Sequence, residues 1–234
     1  MYFKKMHRAL LLVFFACCYI GVASAQNYSS KDQTNIFGLG VVLGVNNSQL
    51  DGDYFTGFNK AGLYGGLRGV AILSPRISLQ VELLYSEKGS RIEHNGSVNE
   101  FAPRDRTIAL SYAEVPLLLK YRLMPSSTGP FIELGGSVAR LLQTAIEEND
   151  RSQVRGTLYG EIMDQFNSND FSLLGGVGYN LGRNWELTLR YSFGLSRIYY
   201  DSEFMRPDPL STVAKEVEFL RNYHLSLLVS YRIL

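Results

Sequence analysis

Apolar and polar residues alternate with a period of two from Phe37 to the end of the chain. Two is the period of a β-strand, whose successive side chains point to opposite faces. The clearest run is Trp185 to Ser196. Trp185, Leu187, Leu189, Tyr191, Phe193 and Leu195 share one face; Glu186, Thr188, Arg190, Ser192, Gly194 and Ser196 share the other. The last segment sets Leu225, Leu227, Val229, Tyr231 and Ile233 against His224, Ser226, Leu228, Ser230 and Arg232. Six further strands are predicted near 36–47, 61–73, 77–88, 109–123, 130–142 and 170–181. Pro116 cannot donate a ladder hydrogen bond, so the fourth strand requires a bulge or a locally open pairing there. Arg140 falls on the apolar face of the fifth, which places it at the border of the medium that face meets.

The connections alternate in length. Ser74-Pro75-Arg76, Met124 to Gly129 and Gly182-Arg183-Asn184 have tight-turn chemistry, whereas long polar stretches lie near 48–60, 89–108, 143–169 and 197–221. Three short turns and four long loops joining eight strands form the pattern of an outer-membrane barrel. The expected fold over 36–234 is therefore all-β: an eight-stranded antiparallel up-and-down transmembrane β-barrel with periplasmic turns and extracellular loops. Alternation alone would equally suit a soluble eight-stranded barrel with its apolar residues inside. Aromatic positions separate the two. In the membrane topology Phe37, Tyr121, Tyr179, Trp185 and Tyr231 face outward near the periplasmic rim, and Tyr85, Phe171 and Phe193 near the other. Two such girdles flank the apolar band of a membrane barrel. The short–long rhythm and the many charges on the polar face weigh the same way.

The start of the chain reads as an export signal. Lys4, Lys5 and Arg8 precede an apolar run from Ala9 to Ile20, and Ala23-Ser24-Ala25 supplies the small residues that a signal peptidase reads. Residues 1–25 are expected to be removed after Ala25, leaving 26–35 as a short periplasmic segment. The run is shorter than the roughly 20 residues of a membrane-spanning helix. Cys17 and Cys18 both lie within it, so the mature chain offers neither a disulfide nor a thiolate metal site. No later stretch resembles a membrane helix, so membrane entry requires a closed barrel. A net charge of +1 carries no footprint for nucleic acid.

The polar face carries Glu82, Glu114, Glu133 and Glu186 beside Arg68, Lys120, Arg122, Arg190 and Arg232. Inside an eight-stranded barrel, wide enough only for side chains, these charges are expected to pair and close the lumen, because single buried charges are costly. Gly38, Gly40, Gly44, Gly66, Gly176 and Gly178 share that face and leave room for large neighbours. Other chemistries fit less well. Gly38-Leu39-Gly40 has Leu43 where a dinucleotide loop needs its third glycine, and Asp51-Gly52-Asp53 is followed by Phe55 and Thr56 where a calcium loop needs a ligand and a glycine. Glu147, Glu148, Asp150, Asp201 and Glu203 make two loops acidic. His224 and Ser226, two apart on one strand, share a face on which an imidazole would activate a hydroxyl if a carboxylate oriented it. Both fall on the lumen face, away from lipid, and no partner glutamate is evident at matching depth. No catalytic, cofactor or metal site is expected.

Tyr112-Ala113-Glu114-Val115-Pro116-Leu117-Leu118-Leu119-Lys120-Tyr121 resembles the E-[IV]-P-L-L-[LIF]-K-Y strand of the PorT-type outer-membrane β-barrel family. Pro130 to Gly136 is similar to that family's next strand, and Gly176-Val177-Gly178-Tyr179 to its sixth. The resemblance, covering roughly 34–234, implies an eight-stranded barrel of OmpA/OmpX-like architecture and no single function. One branch assists a secretion and gliding apparatus. The chain departs from the usual final aromatic of such barrels, ending Tyr231-Arg232-Ile233-Leu234. The expected function is a structural or interaction protein. Its partners would be outer-membrane lipid and lipopolysaccharide, or other envelope and secretion proteins. The alternatives are an accessory component of a PorT-like secretion complex and a lipid A-modifying hydrolase.

Overall fold

The computed structural model describes residues 36–52, 57–92, 104–150, 166–200 and 219–234. The signal peptide expected over 1–25 and the segment 26–35 lie outside them. Among the described residues nine strands follow in chain order: β1 (Phe37–Asp51), β2 (Lys60–Ile72), β3 (Ile77–Ile92), β4 (Arg104–Arg122), β5 (Gly129–Asp150), β6 (Asn169–Leu181), β7 (Trp185–Gly194), β8 (Tyr199–Tyr200) and β9 (Phe219–Arg232). Alternation in sequence becomes alternation in exposure; β7 switches between exposed and buried at every residue from Trp185 to Gly194. The strands pair antiparallel in the order β1-β2-β3-β4-β5-β6-β7-β9, and β1 pairs with β9, so eight long strands close into a barrel. The two-residue β8 resumes the β7 path beside β9, pairing Tyr199 with Leu220 and Tyr200 with Phe219.

The stagger of this ring sets its width. Following Cα partners once round, Leu39 leads to Gly69, Val81, Leu117, Gly136, Leu173, Phe193 and Tyr223, and returns to β1 at Gln49. The return lies ten residues along (49 − 39). With strands about 4.8 Å apart and a rise of about 3.3 Å per residue, that shear tilts the strands by about 40° and puts the backbone about 8 Å from the axis. Such an interior is filled by side chains.

The apolar face points outward: Leu39, Leu43, Leu67, Leu83, Leu134 and Leu187 are all exposed. Along this stretch of wall the arrangement is the reverse of a soluble barrel with an apolar interior. The turns fall at 73–76, 123–128 and 182–184, where the sequence places them. In the first, Ser74 Oγ accepts from Ile77 N at 3.0 Å. Both irregularities also appear. The β3–β4 register reaches Val81↔Leu117 and resumes at Leu84↔Glu114, leaving the ladder open opposite Pro116. The β4–β5 register shifts between Ser111↔Gln143 and Tyr112↔Leu141, so that Leu142 is bulged out. Arg140 points outward in the row of Ala113 and Tyr85, and donates to Asn169 Oδ1 at 3.0 Å.

The strands are longer than their apolar alternation implies. β1 continues to Asp51, β3 to Ile92 and β5 to Asp150; β4 begins at Arg104 and β9 at Phe219. Stretches read as loop near 48–60, 89–108, 143–169 and 197–221 are thus partly strand. Backbone pairing needs no apolar face, so the ladders run on where the side-chain signal stops.

Candidate functional site

The barrel interior gathers the charged side chains. Arg68, Glu82, Glu114, Lys120, Glu133, Glu186 and Arg190 point inward and are buried, while Arg122 and Arg232 are half-buried at the tight-turn end. Arg190 on β7 reaches Glu82 on β3, four strands round a ring of eight, with Nη1–Oε2 at 2.7 Å and Nη2–Oε1 at 3.1 Å. Its Nε donates to Glu133 Oε1 on β5 at 2.6 Å. Arg68 shares Glu82 Oε1 with Arg190, its Nε donating at 2.8 Å, and its Nη1 donates to Glu186 Oε2 at 2.7 Å. Glu186 is the hub of the lower end, also receiving Lys120 Nζ at 2.7 Å and Arg232 Nη2 at 3.6 Å. Arg122 lies within electrostatic reach of Arg232 and Glu186. Charge-assisted bonds of this kind, several to one carboxylate, offset the desolvation that isolated buried ions would suffer.

Small residues make the network fit. Lys120 Nζ sits 3.5 Å from the Phe131 ring centroid and donates to Asn180 Oδ1 at 3.1 Å. A Cβ on Gly178 would collide with the Phe131 ring, and one on Gly176 would stand 2.9 Å from Glu133 Cγ. These two glycines therefore hold open the space that Phe131 and Glu133 occupy.

A second cluster lies further up. Lys88 Nζ pairs with Glu114 Oε2 at 3.0 Å and Asp170 Oδ2 at 3.7 Å. Ser137 Oγ donates to Glu114 Oε1 at 2.7 Å, Ser196 Oγ to Asp170 Oδ1 at 2.6 Å, and Asn222 Nδ2 to Asp170 Oδ2 at 2.9 Å. Sequence reasoning misses Lys88, Asp170 and Asn222, although each continues the even-numbered, inward-facing parity of its strand.

Above this cluster the interior turns apolar. Leu50, Ile108, Leu110, Tyr112, Phe166, Ile198, Tyr199 and Leu220 form one buried cluster at the loop end. The outward positions between them, such as Gln49, Asp51, Thr107 and Ser111, are polar. The same strands therefore have polar-in, apolar-out alternation below and apolar-in, polar-out above. A wall that meets lipid along one stretch and water along the next requires that reversal. No reading of the sequence as uniformly polar-in anticipates it.

The aromatic residues named from the sequence all face outward and are exposed: Phe37, Tyr121, Tyr179, Trp185 and Tyr231 toward the tight turns, Tyr85, Phe171 and Phe193 toward the loops. Trp185 and Tyr231 are Cα partners with ring centroids 4.8 Å apart, and Phe193 meets Tyr223 edge-on at 5.1 Å. Phe58 and Tyr191 extend the upper row. Trp185 and Phe193 are eight residues apart on β7 (193 − 185), about 20 Å along the axis at a tilt of about 40°. That is the height of an outer-membrane apolar band, about 25 Å, to within a residue or two.

His224 and Ser226 are fully buried in the lumen. A glutamate does face His224, contrary to the sequence reading: Glu114 interacts with it electrostatically, as do Lys88 and Arg190. Glu114 is nonetheless committed to Lys88 and Ser137. Neither ring nitrogen of His224 nor Ser226 Oγ has a hydrogen-bond partner among the described residues, so no relay links them. Among the described residues no group of three or more His, Cys, Asp or Glu side chains is placed to hold a metal ion. Of the acidic loop residues, Asp53, Asp201 and Glu203 lie outside the described residues, as do the side chains of Glu148 and Asp150.

Residues 24–200 match the model of a family described as outer membrane protein beta-barrel domain. Among solved structures, the chain is similar to Ail, the attachment invasion locus protein of Yersinia pestis, with 11% identity and a TM-score of 0.43 over 84% of this chain and 99% of that one. It is also similar to OprG of Pseudomonas aeruginosa (11% identity, TM-score 0.42, 84% and 96% covered) and to Neisserial surface protein A (13%, 0.42, 83% and 96%). No curated protein matches the sequence.

Proposed function

Because the chain belongs to the outer-membrane protein β-barrel domain family, we propose that it is a non-conducting, non-enzymatic barrel that works through its outward surfaces. Outer-leaflet lipid, lipopolysaccharide and other envelope proteins are the partners in this reading. The carrying observation is the stacked closure of the lumen. Arg190, with no exposed surface, ties β7 to β3 and β5, and the apolar cluster of Leu50, Leu110 and Leu220 caps it above. A solute would have to break several buried ion pairs and then cross an apolar plug. What remains accessible is the outside of the wall and the loop end.

Planar-bilayer recording of the purified, folded protein tests this directly. Expected is no resolved single-channel step at either polarity; a reproducible conductance removed by boiling would overturn the closed-lumen reading.

Within that reading, a role as accessory component of a PorT-like secretion complex is supported by the Glu114-Val115-Pro116-Leu117-Leu118-Leu119-Lys120-Tyr121 strand alone. Most of these residues are lumen or lipid-facing, so the motif serves the barrel itself. Recovery of secretion-complex subunits with the tagged protein in mild detergent would favour the accessory role. A lipid hydrolase is disfavoured by the burial of His224 and Ser226 away from the lipid face.

A further inference from the structure

The outward face of β9 reads, from the tight-turn end, Tyr231, Val229, Leu227, Leu225, Tyr223, Arg221 and Phe219. It is a lipid-facing strip in which a cation, Arg221, stands between the aromatic residues Tyr223 and Phe219 at the loop end. A second cation joins it there. The Arg197 guanidinium lies 5.2 Å from the Phe219 ring centroid and 4.9 Å from that of Tyr200, and the Arg221 guanidinium lies 5.3 Å from Phe219. Two guanidinium groups thus crowd one ring at the upper rim. Among the described residues neither makes an ion pair within 4.0 Å. Asp51, the Cα partner of Arg221 across the β1–β9 ladder, is exposed and does not reach it. Arg221 Nε is buried and has no hydrogen-bond partner among the described residues. A buried guanidinium donor without an acceptor costs free energy, and two like charges beside one ring repel. An anion held by both groups resolves both costs.

We infer that Arg197 and Arg221, stacked around Phe219, bind the phosphate of a phosphorylated glycolipid of the outer leaflet, whose acyl chains lie along Tyr223, Leu225, Leu227 and Val229. The guanidinium fork matches phosphate oxygens bidentately and stacks on aromatic faces. Its position supplies the rest of the specificity: a headgroup phosphate sits just above an aromatic girdle, and its chains need a smooth apolar wall directly below. The site rests on the proposed orientation, with the loop end outside.

The test uses the full-length protein refolded in phosphatidylcholine bicelles, titrated with lipopolysaccharide bearing its phosphates and with the enzymatically dephosphorylated form. Binding is read by native mass spectrometry and by phosphorus NMR line broadening. Expected is preferential binding of the phosphorylated lipid, persisting in EDTA and weakened about tenfold or more in Arg197→Gln/Arg221→Gln, each tenfold being about 1.4 kcal/mol. Phe219→Leu, which keeps both cations but removes the ring, should weaken it severalfold. Equal binding of the two lipids, equal binding by the double variant, or loss of binding in EDTA would each overturn the site, the last by showing that a bridging divalent cation holds the lipid. Inorganic phosphate binding as tightly as the lipid would overturn the lipid assignment. Orientation is checked separately by labelling Arg197→Cys on intact cells with a membrane-impermeant maleimide. No labelling would remove the orientation on which the site rests, whatever the lipid titration shows.

Discussion

Arg190 and Glu82 face each other across the full width of the barrel, and the arginine holds both carboxylate oxygens, at 2.7 and 3.1 Å. Neither side chain has more than a trace of exposed surface. Breaking one partner of such a pair leaves an uncompensated charge in a closed interior, a loss of about 3–5 kcal/mol. Arg190→Met should therefore lower the stability of the detergent-refolded barrel by that much. Glu133 loses its arginine at the same time, whereas Glu82 keeps Arg68. The midpoint of urea unfolding, followed by the gel shift between folded and unfolded forms, measures it. A change under about 1 kcal/mol would mean that the network contributes little.

Gly178 faces the Phe131 ring across the β5–β6 ladder. Gly178→Ala should cost about 1–3 kcal/mol by overpacking, in the same unfolding assay. Adding Phe131→Leu should recover part of that loss, since the smaller side chain vacates the colliding atoms. Identical effects of alanine in the two backgrounds would place the cost elsewhere than in this contact.

The apolar cluster at the loop end behaves as the core of a soluble protein, because that stretch of wall stands in water. Leu110→Ala, at a side chain with no exposed surface, should destabilise the fold by about 2–5 kcal/mol. Leu187→Ala, on the outward face, should cost clearly less, since its side chain meets lipid in the folded barrel without close protein packing. Equal losses at the two sites would contradict the reversal of polarity along the wall.

Trp185 is the only tryptophan in the chain, so its fluorescence reports the lower girdle without interference. Half of the roughly 20 Å between girdles puts it about 10 Å from the bilayer centre. Quenching in vesicles should be strongest with lipids brominated at intermediate depth. Quenching only by aqueous acrylamide would place the residue outside the membrane.

Ser226→Ala should leave the acyl-chain composition of lipid A unchanged in cells producing the protein, as judged by mass analysis. Loss of an acyl-chain release seen with the unaltered protein would restore the hydrolase that the buried His224 argues against.

The period-two alternation by itself determined the eight long strands, their tight turns and which side chains share a face, because a strand's geometry allows only two directions. Rows such as Trp185–Phe193 and Leu225–Tyr231 also carry their aromatic residues at a spacing set by the apolar layer they cross, so both girdles were legible. Pro116 foretold its own gap in the ladder, since a residue without an N–H leaves that mark wherever it sits.

Only the tertiary structure decided which charges meet. Arg190 and Glu82 are 108 residues apart, and their contact depends on the shear of ten residues, which no single strand encodes. The strand extensions were hidden for a related reason. At Leu50 and Leu110 the alternation continues with its polarity reversed, and in sequence a reversed pattern reads as a broken one. The surrounding medium changes from lipid to water along the wall, and that boundary exists only once the barrel has closed.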